Sequence, residues 1–314
     1  MSIRNEFTLL SNNGKTKINC VVWKPEDGRY IGVIQLIHGM LEYIDRYSEF
    51  AEFLTQNGFI VVGHDQLGHG KSVDSEKEYG FFDEERPSNV LIADIHNLRN
   101  KIQEEYKNVP YFMLGHSMGS YMLRKYIALY NRNVDGVIIM GTGFVAPRTT
   151  LSGIKLTKVI EKFKGSHHRS KMLEKMSFGK PYQKFDKTGV DLSNSWLTKD
   201  EEVVKKYYSD PLCTFKFTAN GYLGLFEAVL FSCKLENVDR VPKNIPFFFV
   251  SGEDDPVGDF GKGVRKIYDM FNLTNHKDVT MKLYKNDRHE ILKETDKDVV
   301  YKDILNWIQA RINN

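Results

Sequence analysis

Gly115-His116-Ser117-Met118-Gly119 sets a serine between two glycines, after an apolar run over residues 111–114 and ahead of a helical stretch. A strand that turns sharply into a helix at this pattern needs small residues on both sides, because the two backbones come close. The serine is then held in a strained conformation with its hydroxyl lifted into the open. The helix that follows turns its amide ends toward the reacting oxygen, where they favour developing negative charge. A hydroxyl is a weak nucleophile until an imidazole can take its proton, and the imidazole needs a carboxylate to fix its tautomer. The five residues alone also suit an ordinary glycine–serine loop, so the acid and the base decide between the two.

Both are present downstream in the expected order of serine, acid and histidine. An apolar run over residues 246–250 leads into Ser251-Gly252-Glu253-Asp254-Asp255-Pro256, and the next, over 279–284, leads into Lys285-Asn286-Asp287-Arg288-His289. Each lies just after a strand-like segment, the edge where Ser117 falls. His289 is the expected base, whereas His276 precedes its strand and falls at the opposite edge. Asp255 is the expected acid ahead of Asp254 and Glu253, because Pro256 stiffens its backbone. Upstream, the run over 31–37 ends in His38-Gly39-Met40. A main-chain N–H from the loop after this strand, with the one following the nucleophile, makes an oxyanion hole, which names the amides of Met40 and Met118. The loop from Asp65 to Ser72 contains Gly68, Gly70 and Lys71 but misses the phosphate-loop spacing. It reads as structural support for the site.

The elements that must carry these residues alternate. Segments 6–10 and 17–23 read as an opening hairpin turned at Asn12-Asn13-Gly14. Short apolar runs over 31–37, 59–62, 111–114, 137–140, 246–250 and 279–284 suit strands covered on both faces of a mostly parallel sheet. Helices are expected over 43–56, from about Ser88 through Ile102, and over 118–130, 261–271 and 299–312. Strand–helix alternation predicts a doubly wound α/β sheet with its site at the edge where the strands end. It breaks once. Residues 144–217 show no convincing strand, and Leu156, Val159, Ile160 and Phe163 form one amphipathic stripe that stops at Gly165. A helical cap inserted after the sixth strand is expected there, within a single domain spanning residues 1–314.

Taken together, these motifs resemble the monoacylglycerol lipase and bacterial lysophospholipase-like branch of the α/β hydrolases. The resemblance rests on His38-Gly39-Met40 with Glu42, the Asp65–Ser72 loop, the segment 115–119, the segment 251–258 and Arg288-His289-Glu290. Asp210-Pro211-Leu212-Cys213 with Phe217-Thr218, late in the insertion, adds to it. The resemblance implies Ser117, Asp255 and His289 as a triad, Met40 and Met118 as oxyanion donors, and an acyl-enzyme route that uses neither metal nor organic cofactor. The chain departs from the pattern at Leu41 and Tyr43, where many members carry a small residue and a histidine.

Composition sets the remaining bounds. Apolar residues make up 41% and charged residues 27%, and a net charge of +3 makes no case for nucleic acid. Cys20, Cys213 and Cys233 form neither a metal-ligand pattern nor a disulfide framework, as expected in a reducing compartment. The N-terminal residues lack an apolar signal region, so a cytoplasmic enzyme is expected. Residues 148–187 hold eleven Lys or Arg against three Asp or Glu. That excess fits a solvated basic surface, or a cap resting on anionic lipid headgroups. Two other functions stay open on sequence alone: a peptidase or amidase acting on small substrates, and a ligand-binding homologue that has lost catalysis.

Overall fold

A computed structural model describes residues 2–130 and 133–312. Strands β1 (Ser2–Leu10) and β2 (Lys17–Pro25) form the opening hairpin, with Gly14 at φ 77° in its turn. Then follow β3 (Gly32–Ile37), α1 (Ser48–Gln56), β4 (Phe59–His64), α2 (Pro87–Glu105), β5 (Tyr111–His116), α3 (Met118–Leu129) and β6 (Gly136–Met140). Between β6 and β7 (Phe247–Gly252) lie α4 (Pro147–Lys164), α5 (Lys171–Ser177), α6 (Glu201–Ser209), α7 (Pro211–Thr214), α8 (Ala219–Ser232) and α9 (Leu235–Val238). The chain closes with α10 (Lys262–Leu273), β8 (Val279–Tyr284) and α11 (Lys297–Ile312).

All eight strands join one sheet in the order β1-β2-β4-β3-β5-β6-β7-β8. β3 through β8 run parallel, and the antiparallel hairpin is appended beside β4. This is the expected doubly wound architecture, with the α/β-hydrolase strand order. Side chains alternate across the pleat, so each strand feeds two cores. Val33, Met113, Val137 and Phe249 pack under α2, α3 and α10 on one face. Ile34, Leu114, Ile138 and Val250 meet Phe50, Leu54, Ile304 and Ile308 of α1 and α11 on the other. The two edge strands are the exceptions to continuous burial: β1 is mostly exposed, and β8 alternates half-buried and exposed residues up to the buried Tyr284.

The insertion is helical, as expected, but the apolar stripe of α4 splits. Ile160 is buried and Leu156 faces a cavity, while Val159 and Phe163 stand 53% and 77% exposed. α8 is a helix that periodicity does not predict. Its sequence is apolar on nearly every side and contains Gly221 and Gly224, so no amphipathic stripe marks it. It is buried against α2, α3 and α4, and Gly224 admits Phe82: a Cβ there would fall 2.7 Å from that ring.

Candidate active site

Ser117 sits between β5 and α3 at φ 52° and ψ −119°, a conformation rare for a residue with a Cβ. The two glycines of its motif explain how the turn closes. A Cβ on Gly115 would lie 2.5 Å from the Gly119 carbonyl oxygen, and one on Gly119 would lie 2.1 Å from the Ile37 carbonyl oxygen. Nothing larger than hydrogen lets α3 start this close to β5 and to the end of β3. The nucleophile candidate is thus fixed by backbone, and its own side chain stays partly open to the cavity.

β7 and β8 end side by side, and their loops bring acid and base together. His289 Nδ1 lies 3.0 Å from Asp255 Oδ2, with both side chains buried. Ser251 Oγ donates to the same oxygen at 3.0 Å, and the Val257 N–H donates to Oδ1 at 2.8 Å. Burial opposes ionisation of Asp255, but the His289 ring, together with these donors, holds its carboxyl below the usual range. Of the three acids in the loop, only Asp255 points at the histidine: Glu253 is exposed, and Asp254 is tied by its main chain to the Asp287 carbonyl. His276 forms its contacts with Thr274 and Phe271 ahead of β8, at the opposite end of the strand from His289. Ser117 and His289 line one cavity, with no direct hydrogen bond between their side chains; proton transfer from one to the other needs them to close to hydrogen-bond distance.

The loop after β3 wraps over the nucleophile. Gly39 is required where it passes Ser117, since a Cβ at this position would meet Glu42 Oε1 at 2.5 Å and Ser117 Cβ at 2.9 Å. Glu42 accepts the Gly39 N–H, and His38 donates from Nδ1 to the Gly39 carbonyl at 2.7 Å while its Nε2 accepts the Gln66 N–H at 2.8 Å. These contacts fold the loop so that Met40 and Met118 both reach the cavity beside Ser117. Leu41 holds φ 58°, a left-handed conformation that favours glycine over a residue with a Cβ. Tyr43 donates to Asp210 Oδ2 at 2.8 Å and so ties this loop to the insertion. Asp65 accepts from Asn19 Nδ2, the Ile44 N–H and the Lys71 N–H, a scaffold role for that glycine-containing loop. Substituting Gly39 with alanine is expected to displace the loop and lower kcat about a hundredfold, the scale of one lost oxyanion donor. Near-UV circular dichroism should remain that of the folded chain.

Behind Ser117, Asp255 and His289 lies a buried charged group that motif reading does not assemble. Arg46 grips Glu290 with two bonds of 2.6 and 2.8 Å and reaches Glu42 at 3.2 Å. His116 Nδ1 is 3.0 Å from Glu42 Oε1, and its Nε2 is 3.3 Å from the His289 carbonyl oxygen. Burial disfavours the His116 cation, yet the Glu42 carboxylate raises its pKa above the usual histidine value. The Tyr47 hydroxyl, also 3.0 Å from Nδ1, donates to Glu42 Oε1, so all three neighbours of the ring nitrogens can accept, which suits a ring protonated on both sides. A second unpredicted contact comes from the insertion: the Trp196 indole stacks on the His289 ring with centroids 5.1 Å apart and planes 30° apart. A lone tryptophan in an irregular segment carries no pattern that would mark it.

A nucleophile elbow, a buried acid–imidazole pair and a doubly wound sheet of this strand order define an α/β hydrolase. The chain belongs to the family described as serine aminopeptidase, S33, whose model matches residues 28–296. It is 28% identical to the monoglyceride lipase of Rattus norvegicus over 302 residues, covering 93% of this chain and 87% of that protein. It is 26% identical to the monoacylglycerol lipase of Mycolicibacterium smegmatis, covering 99% of each. Among solved structures, a thermostable carboxyl esterase from Bacillus coagulans in complex with glycerol superposes with a TM-score of 0.89 at 29% identity, over 98% of this chain and 99% of that one. These likenesses place the chain in the monoacylglycerol-lipase-like branch, a branch of carboxylic-ester hydrolases.

Proposed function

We propose that this chain hydrolyses esters bearing a single acyl chain, of the monoacylglycerol or lysophospholipid type, through an acyl-enzyme on Ser117. The observation that carries this is His289, backed by the buried Asp255, opening with Ser117 onto a cavity of about 750 Å³. That volume lies in the range of small-molecule sites, and its walls are mainly apolar, among them Leu156, Phe178, Leu225, Phe226 and Val229. In the proposed sequence, Ser117 Oγ attacks the ester carbonyl as His289 Nε2 takes its proton. The Met40 and Met118 amides receive the tetrahedral oxygen, and His289 then protonates the departing alcohol. Water, deprotonated by the same imidazole, releases the fatty acid.

The family description names a peptidase, which makes aminoacyl substrates the second reading. The site offers little for a free α-ammonium: Glu42 and Glu290 both reach the cavity, but Arg46 and His116 already claim their carboxylates. A panel of monoacylglycerols of several chain lengths, lysophospholipids and aminoacyl amides separates the two. Esters are expected to be cleaved at least about a hundredfold faster than amides, and a fluorophosphonate probe should label Ser117 and no other residue. A preference for aminoacyl amides, or no labelling at Ser117, overturns the reading.

We also propose residues 144–217 as a cap that meets lipid. Phe163 and Val159 are exposed on α4, and Met172 is exposed on α5, among Lys155, Lys158, Lys162, Lys164, Lys171 and Lys175. Apolar side chains ringed by lysine suit an anionic bilayer surface; among the described residues no helix is long and apolar enough to cross one. The chain is expected to float with phosphatidylserine-containing vesicles several-fold more than with neutral ones, and Phe163→Glu should remove the difference. Equal recovery with both vesicles counts against a lipid-facing cap.

A further inference from the structure

The loop that carries the base is bound along its length by one short stretch of the insertion, residues 193–198. The His289 N–H lies 3.4 Å from the Trp196 carbonyl oxygen, and the Glu290 N–H donates to the Leu197 carbonyl at 2.7 Å. Arg288 Nη1 donates to the carbonyls of Ser193, Ser195 and Thr198 at 3.1, 2.5 and 3.3 Å. Thr198 Oγ1 bonds the Lys293 carbonyl and Glu294 Oε2, both at 3.0 Å. Trp196 is the centre of this seam. One aspect of its indole stacks on the His289 ring, and the side chain also lines the cavity. The rings of Phe178 and Tyr182, which line the same cavity, meet it edge-on at 5.9 and 5.3 Å.

We propose that Trp196 is a positioning residue for the general base, its indole stacked on His289 so that the ring is held toward Ser117 and the imidazolium formed in each chemical step is stabilised. This rests on the reading of His289 as the base. Two physical effects support it. An aromatic face within about 6 Å of a cation attracts it, most strongly when both are sheltered from water. A ring clamped by Asp255 at Nδ1 can still swing about that bond, and a flat neighbour removes the swing. The other charged groups around His289 do not duplicate the role. Asp255 acts at one nitrogen, and Glu290 is turned to Arg46. His116, whose ring centroid lies 4.7 Å away, also flanks the ring, but Glu42 favours its cationic form, so it cannot stabilise a neighbouring imidazolium as an indole face does. Because Phe178 and Tyr182 touch both the cavity and Trp196, an acyl chain lying against them bears on the base through one intervening side chain. Long-chain esters are therefore expected to depend on Trp196 more than short-chain esters do.

The test compares Trp196→Leu and Trp196→Phe with the unsubstituted chain. Trp196→Leu should lose about tenfold in kcat, the scale of a sheltered cation–π contact, with KM for a short-chain ester unchanged. The loss should be larger on a long-chain ester. The acid limb of its kcat/KM profile should move to lower pH, and Trp196→Phe should recover kcat to within about threefold. A protonated imidazole quenches an indole in contact with it, so intrinsic emission should fall as pH is lowered. That fall should persist in Ser117→Ala and vanish in Trp196→Phe. Unchanged kcat and pH profile in Trp196→Leu, or a change confined to KM, overturns the proposal. So does an acid fall in emission that is undiminished in Trp196→Phe, where only Trp23 and Trp307 still emit. Should His289→Ala retain activity, it is the assignment of the base that fails, whatever the emission shows.

Discussion

Asp255→Asn is expected to lower kcat by about 10⁴-fold, whereas Asp254→Asn and Glu253→Gln leave it within about twofold. Every lone pair that Asp255 uses is spoken for. Oδ2 faces His289 Nδ1 and takes the Ser251 hydroxyl, and Oδ1 takes the Val257 N–H. An asparagine must put its NH₂ in one of these places. Turned toward the histidine, it makes Nδ1 an acceptor and leaves the proton on Nε2, so the ring can no longer take one from Ser117. Turned the other way, it sets two donors face to face at Val257, a buried mismatch worth roughly 1–3 kcal/mol. The variant should therefore fold, bind substrate with little change in KM and react with fluorophosphonate more slowly by a similar factor. Ser117→Ala should be at least as inactive, and the double variant no worse than Ser117→Ala alone, because the two side chains act as a unit. A loss of less than about tenfold in Asp255→Asn, or an equal loss in Asp254→Asn, removes Asp255 from the triad.

The distribution of what could be read from sequence follows from how each feature is encoded. Ser117 announces itself because its elbow is a backbone event, and backbone events need glycine at fixed spacing: Gly115 and Gly119 have no room for a Cβ. Asp255 and His289 are legible because a parallel sheet delivers the residues after successive strands to one edge, so chain order alone brings them together. Chain order cannot say which of three adjacent acids turns inward. Pro256 pointed to Asp255, and the Val257 N–H on its own carboxylate shows what fixes it. α8 went unread because a helix buried on nearly every side has no stripe. The stripe on α4 was legible as a helix and ambiguous as a face, since Phe163 and Ile160 look alike in sequence while one is exposed and the other is buried. Least legible was the group of Glu42, Arg46, His116 and Glu290. Only its first two members share a local spacing, and charged residues carry no sign of burial until a fold encloses them.

That buried group gives the second large effect. Arg46→Met is expected to destabilise the chain by about 3–5 kcal/mol, a fall of roughly 6–10 °C in Tm, and more at alkaline than at acid pH. Methionine fills much of the arginine's length and can still pack on the Tyr207 ring, which the guanidinium now covers at 4.9 Å. What it cannot replace is charge. Glu42 keeps the Gly39 N–H, the Tyr47 hydroxyl and His116. Among the described residues Glu290 has only Arg46 as a hydrogen-bond partner for its carboxylate, and becomes a buried anion with no ion pair, His116 acting on it only from a greater distance. In the unsubstituted chain burial works against the Glu290 anion, but Arg46 outweighs it and holds the carboxyl below the usual glutamate range. A depressed value of this kind adds stability above the unfolded-state value, and loses it as pH falls through the folded one. Without Arg46, burial and the nearby Glu42 anion both push the carboxyl up against His116 alone, and the shift reverses. A raised value favours the folded state only at pH below the unfolded-state value, and that advantage is lost as pH rises through the folded value. The Tm gap between variant and parent should thus be small near pH 4 and widen toward pH 8. Adding Glu290→Leu should recover most of the loss, because removing both charges is far cheaper than stranding one. A pH-independent gap, or no recovery in the double variant, shows that Arg46 stabilises by packing and that its ion pair with Glu290 contributes nothing.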